Sequence, residues 1–230
     1  MDLKSKIFLI SGPTASGKSK FAVKLAKKIN GEIINADSMQ IYKEFKVLNT
    51  RPNKILTKQI RHHLFGIISV KKKFSVARWL KLTKQIIKKI SKKNKIPIIV
   101  GGTGLYFKSL TEGLVKIPLL PAKIRYEVIN KQKKMGQKKF YKDLIKIDPK
   151  SKSKINPFDK QRAIRAYEIK KFTNISLFDW FKKTKSTFKN EQFEKIYLDF
   201  SRETLIKKIE KRCSKIINLS TINEVKSFKK

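Results

Sequence analysis

The sequence predicts an α/β protein, a doubly wound parallel sheet that carries a mainly helical insertion. Three observations predict it. The stretch LISGPTASGKSKFAVKLA at 9–26 runs from a short apolar segment through a Gly-rich loop into a helical pattern. The segment IPIIV at 96–100 is apolar throughout and is followed by Gly101-Gly102-Thr103-Gly104, as expected of a parallel strand buried on both faces. Strand, loop and helix alternate up to about residue 115, after which only helical spacing recurs.

Each element has its own signal. Lys6 to Ile10 reads as a strand and Lys18 to Ile29 as a helix, with Phe21, Leu25 and Ile29 on one face. Asn30-Gly31 closes that helix as a cap signal. Glu32 to Asn35 is a second strand, leading to Ala36-Asp37-Ser38. Phe74 to Ile90 is a helix with Trp79, Ile86 and Ile90 inward, and a further helix runs from Gly104 through Leu110. Pro118 and Pro121 mark a boundary. Beyond it, 122–146 and 159–171 read as helices, the second capped by Asp159. Glu194 to Phe200 reads as a returning strand, and Ser201 caps a last helix at 202–217. The expected division is a core at 1–115, a helical insertion at 116–190 and a return to the core at 191–230.

Gly12-Pro13-Thr14-Ala15-Ser16-Gly17-Lys18-Ser19 matches G-x-x-x-x-G-K-[ST] at every fixed position, which makes the core one of P-loop type. The glycines let backbone N–H groups turn toward one anion, and the helix N-terminus adds positive potential. Lys18 reaches the outer phosphate, and the Ser19 hydroxyl is suited to a Mg²⁺ ligand. Such a loop specifies a diphosphate-like group and leaves the rest of the ligand open, nucleotide or not. An ATPase normally adds a carboxylate at the end of another apolar strand. IPIIV ends in glycines instead, so the carboxylate at the carboxyl edge is Asp37, with Asp199 on a later and weaker strand. Asp37 also has a plain alternative role as a turn cap with Ser38.

Composition narrows the setting. The 57 Lys and Arg against 17 Asp and Glu give a formal charge of +40, which favours a polyanionic partner such as nucleic acid. Most of the excess is Lys, accompanied by much Ile and Asn; A/T-rich codon usage would enrich the same residues, so charge alone leaves both explanations open. The single cysteine, Cys213, excludes an internal disulfide framework. No apolar run is long enough for a membrane helix, and the N-terminal apolar segment is too short for a leader. A cytoplasmic monomer is the expected state. His62-His63 has no Cys or acidic cluster nearby in sequence and reads as structural or substrate-lining. Tyr42, Tyr106, Phe107, Trp79 and Trp180 read as core.

GPTASGKS at 12–19, NADSMQIY at 35–42, HHL at 62–64, FSVARW at 74–79, VGGTGLYFKSLTEGL at 100–114 and DKQRAIRAYEI at 159–169 together resemble the tRNA dimethylallyltransferase family, in that family's order. The resemblance implies transfer of a dimethylallyl group from its diphosphate to the exocyclic amine of the adenosine 3′ to the anticodon. It makes the loop a cradle for an isoprenoid diphosphate rather than ATP, with Mg²⁺ on Ser19 and Thr14. It implies Asp37 as the group that accepts the amine proton, with Lys18 and Thr103 beside it. Asp37, Ser38, Met39, Gln40 and Thr103 would meet the tRNA near the target base. Arg125 and the segment Gln161, Arg162, Ala163, Ile164, Arg165 would contact it from the insertion. Asn174 stands where the family often has Gly. The family usually continues past the point where this sequence stops, and its GYKE-like and arginine-rich blocks are not found. A small-molecule kinase using Asp37 on a hydroxyl, and a tRNA-binding protein without turnover, are the alternative readings.

Overall fold

A computed structural model of the protein describes residues 5–182 and 184–229. Met1 to Lys4, at the head of the segment weighed above as a leader, lie outside the described residues, as do Lys183, inside the expected insertion, and Lys230. The chain divides into two compact units, one of 1–111 with 186–230, the other of 112–185.

The first unit is built on a parallel sheet of five strands in the order β3-β2-β4-β1-β5. These are β1 (Ile7–Ser11), β2 (Gly31–Asn35), β3 (His62–His63), β4 (Ile96–Val100) and β5 (Phe193–Tyr197). Strands β2 and β4 are buried along their whole length, and β1 along all but its last residue. This is why β1 and β4 read as apolar runs, while β2 also buries Glu32 and Asn35. Strand β5, at the sheet edge, alternates and is harder to read. It ends at Tyr197, so Asp199 lies beyond it, exposed, accepting a bond from Phe200 N.

Helix α1 (Lys18–Lys28) follows β1 and buries Ala22, Val23 and Ala26. Its stop falls at the expected Asn30-Gly31 pair. Asn30 carries the left-handed conformation (φ 52°), and Gly31 opens β2. Gly31 is needed there for space: a Cβ would sit 2.6 Å from Ile98 Cδ1. The short α2 (Lys54–Gln59), capped by Asn53, and the two-residue β3 are too brief to leave a periodic signal. Helix α3 (Val76–Ser91), capped by Ser75, buries Trp79, Leu80, Thr83, Ile87 and Ile90; Ile87, not Ile86, is the inward residue. Helix α4 (Gly104–Thr111) follows β4. Buried Glu32 on β2 bonds His63 Nε2 at 2.7 Å and Lys95 Nζ at 3.1 Å, so the His pair belongs to the fabric of the sheet. Burial alone would raise the Glu32 carboxyl, but these two hydrogen bonds hold it below the ordinary carboxylate range.

The second unit is helical. Its long α5 (Ala122–Ile147) breaks at Gly136, where φ is 72°. It packs with α6 (Lys160–Thr173) and α7 (Leu177–Lys182) around Val128, Phe140, Leu144, Ala163 and Ile169. Asp159 caps α6 by accepting from Arg162 N, and Asn174 ends it in the left-handed conformation, φ 55°. Back in the first unit, Ser201 caps α8 (Arg202–Ile216). This helix is not the last: α9 (Leu219–Lys229) follows, with Asn218 Oδ1 accepting from Thr221 N at its start. No described helix is long and apolar enough to cross a membrane.

One glycine governs how the strand ends meet. A Cβ at Gly101 would lie 2.1 Å from the Ala36 carbonyl carbon and oxygen, and backbone cannot yield as a side chain does. Gly101→Ala is therefore expected to destabilise the fold by about 1–3 kcal/mol, read by urea denaturation.

Candidate diphosphate and acceptor site

The sheet order sets β2, β4 and β1 side by side. Their carboxyl ends carry the Asp37 turn, the Gly101–Gly104 loop and the P-loop, so three motifs far apart in sequence share one edge of the sheet. Gly12 has φ 151° and packs against the chain after β5: a Cβ there would lie 2.7 Å from Leu198 O. Ala15 and Gly17 are also left-handed, at φ 63° and 82°. Gly17 is the N-cap of α1 and no side chain caps that helix, which leaves its first amides for an anion. Lys18 Nζ donates to the carbonyls of Gly12 (2.8 Å) and Pro13 (2.6 Å), so the ammonium lies across the loop. Ser16 is buried, whereas Thr14 and Ser19 are exposed.

The Asp37 turn is held from two sides. Asn35, fully buried at the end of β2, accepts from Asp37 N at 2.9 Å and donates to Asp37 O at 3.0 Å. It also donates to Leu64 O at 3.0 Å. Thr103 N donates to Ala36 O, and Thr103 Oγ1 accepts from Ser38 N at 2.9 Å. Thr103 thus joins the β4 loop to the β2 loop rather than capping α4 with its side chain. Asp37 Oδ1 accepts from Met39 N at 2.8 Å, so the turn-cap role weighed for it is present too. Met39 is exposed, and Gln40 reaches the carbonyls of Asn49 and Thr50. Under the turn, Trp79 Nε1 donates to Asn35 O, and the Trp79 ring stacks on Tyr106 at 4.4 Å.

The charges bear on one another. Burial pushes the Lys18 ammonium below its ordinary value, Asp37 opposes that shift and Arg212 adds to it. Burial, with the charges of Tyr42 and Asp37, pushes Tyr106 up to about 12. Arg212, on α8, donates to Thr50 Oγ1. Asn35 and Arg212 are the two site residues that sequence reasoning missed. Arg212 lies in a Lys-rich helix, and nothing in the local pattern singles it out. Among the described residues no group of three or more His, Cys, Asp or Glu is arranged to hold a metal ion. A Mg²⁺ held by a hydroxyl, water and diphosphate oxygens fits the donors present; one held by protein ligands alone does not.

In the helical unit, Arg125 and Arg165 both bond the carboxylate of fully buried Glu168. Arg162 is largely exposed and makes only a 3.4 Å pair with Asp159, and Gln161 is exposed. Ala163 and Ile164, in the same segment, turn their side chains into the helical core.

The model of the IPP transferase family matches residues 40–230. A tRNA dimethylallyltransferase of Pelagibacter ubique is 60% identical over the whole chain, which covers 74% of that protein. The chain belongs to the IPP transferase family. A relative with the same name from Rickettsia massiliae is 41% identical over 99% of the chain and 63% of its own length. Among solved structures, a eukaryotic dimethylallyltransferase acting on tRNA superposes with a TM-score of 0.83 at 27% identity, over 97% of this chain and 55% of that one. The Bacillus halodurans tRNA isopentenylpyrophosphate transferase gives 0.63 at 32% identity, over 97% of this chain and 69% of that one. Family membership and the P-loop α/β fold thus agree with the motif reading.

Lys18→Ala is expected to weaken binding of inorganic diphosphate by about tenfold or more, since hydrogen bonds to charged groups contribute about 1.5–3 kcal/mol. Titration calorimetry checks it, with an unchanged melting temperature as the control for folding.

Proposed function

We propose that the chain is a tRNA dimethylallyltransferase, moving a dimethylallyl group from dimethylallyl diphosphate to the exocyclic amine of the adenosine 3′ to the anticodon. The observation that carries this reading is the pairing of an anion cradle after β1 with one carboxylate after β2, on either side of β4 at the same sheet edge, in a chain of this family. The amine nitrogen attacks the allylic carbon, and the carbon–oxygen bond to diphosphate breaks. Negative charge grows on the leaving group, where the P-loop amides and Lys18 stabilise it, with Arg212 a further cation near Lys18. When bound, Mg²⁺ on Ser19 and Thr14 supplies further positive charge at the diphosphate. Asp37 accepts the amine proton, a task worth about 10²–10⁴-fold in general acid–base catalysis. Asn35 holds its backbone, and Thr103 holds the flanking Ala36 carbonyl and Ser38 amide, while it does so.

The target adenine must leave its stack to reach that carboxylate, which costs least in a single-stranded loop. Ser38, Met39 and Gln40 lie on the same turn as Asp37 and would line the acceptor. We assign the helical insertion, 116–190 by sequence, to tRNA binding through Arg125, Gln161, Arg162 and Arg165, and the enzyme to the cytoplasm with its substrate.

The direct test is single-turnover transfer of labelled dimethylallyl from its diphosphate to unmodified tRNA, with Mg²⁺ and without ATP. Label in the tRNA supports the reading; bound tRNA without label overturns it. Asp37→Asn should lower the transfer rate by about two orders of magnitude or more while tRNA binding stays within about twofold. Arg162→Ala should reduce the slope of tRNA affinity against salt by about one, with little change in stability, because its side chain is exposed.

A further inference from the structure

The turns at 45–51 follow the Asp37–Gln40 block and belong to no helix or strand. They fold on themselves through Asn49 N to Phe45 O (2.9 Å) and Thr50 N to Val47 O (2.9 Å). Two non-glycine residues there, Phe45 and Thr50, are left-handed at φ 56° and 48°. Such conformations cost energy and persist only where the surroundings fix them. Between those two residues the turns are bonded by a group from the far end of the chain. Half-buried Glu224 on α9 accepts from Val47 N at 2.9 Å through Oε1 and at 3.1 Å through Oε2. The same Oε2 accepts from Leu48 N at 3.0 Å. One turn of helix later, the Phe228 ring meets Phe45 edge-on, with ring centres 4.9 Å apart.

This segment in turn touches both halves of the site. Asn49 Nδ2 donates to Met39 O at 2.8 Å, and Gln40 Nε2 donates to Asn49 O at 3.1 Å. Thr50 Oγ1 accepts from Arg212, whose charge acts on Lys18. Arg51 Nη2 donates to Lys43 O, and the Glu224 charge acts on its guanidinium. A carboxylate bonded to two backbone amides is a strong, charge-assisted anchor.

We infer that Glu224 is a positioning residue: its carboxylate seats the 45–51 turns, and through Asn49 and Thr50 those turns set the Met39–Gln40 backbone and Arg212. This rests on the transferase reading for its effect on catalysis. The anchor itself is a property of the backbone and has a separate readout.

The experiment compares wild type, Glu224→Ala and Glu224→Gln by hydrogen–deuterium exchange over 37–51 and by transfer kinetics. In Glu224→Ala, exchange should rise about tenfold or more at Val47 and Leu48, and also at Ser38, Met39 and Gln40, which Glu224 does not touch. The transfer rate should fall about tenfold or more. Glu224→Gln should restore most of both, because a single oxygen at the Oε2 position already accepts from both amides. This variant guards against a Glu224→Ala chain that fails to fold. Faster exchange confined to 45–49 and α9, with 38–40 and the rate unmoved, would overturn the inference and leave Glu224 as a helix tether. A wild type that transfers no label overturns the transferase reading instead, and the exchange pattern then decides the anchor alone.

Discussion

One buried amide carries much of this architecture. Asn35 sits at the end of β2 with no exposure, next to the mainly aliphatic strand β4. A polar side chain there is costly unless its groups are satisfied. Here each amide atom has a partner: Asp37 N on the oxygen, and the carbonyls of Asp37 and Leu64 on the nitrogen. The satisfied amide fixes where the chain goes after the strand, so the Asp37 backbone is set before any substrate is considered. Leu64 itself is left-handed, at φ 62°, which presents its carbonyl to Asn35 and ties the start of the β3 exit to the same point.

Close approach of backbones completes the arrangement. Gly101 lets the β4 exit press against Ala36, and Thr103 can then reach across to Ser38. Gly12 does the same for the P-loop against the chain leaving β5. With loops this close, Asp37 and Arg212 act on Lys18 through space. In the proposed reaction that combination is apt: cations gathered where a diphosphate leaves, and one carboxylate beside them where a proton must go.

Much of this was legible in the sequence, and the illegible parts have common causes. Strands β1 and β4 are buried and almost wholly apolar, so they could be read directly, whereas β2 sets Ile33 and Ile34 beside buried Glu32 and Asn35. The P-loop is local chemistry, in which eight consecutive residues form one cradle. Asp159 and Ser201 could be read as caps because a cap bonds within three residues of itself. By contrast β3, α2 and α7 are too short for any period to show. Ala163 and Ile164 lie between charged residues in sequence, yet α6 turns them inward against α5. Arg125 and Arg165 share a buried carboxylate, a pairing across helices that no spacing encodes.

The sequence by itself determined the fold class, the P-loop motif and the family, and put Asp37 forward as the candidate carboxylate. Those follow from local pattern: hydrophobic period, glycine placement and motif order. Only the tertiary structure decided that Asn35 holds Asp37, that Thr103 joins two loops, that Arg212 stands by Lys18 and that Glu224 seats the turns after Gln40. The Asn35 bonds to Asp37 are local, but the others depend on strand order or on helices returning from the far end of the chain. Contacts across 65 to 177 residues arise from packing, which one-dimensional spacing does not record.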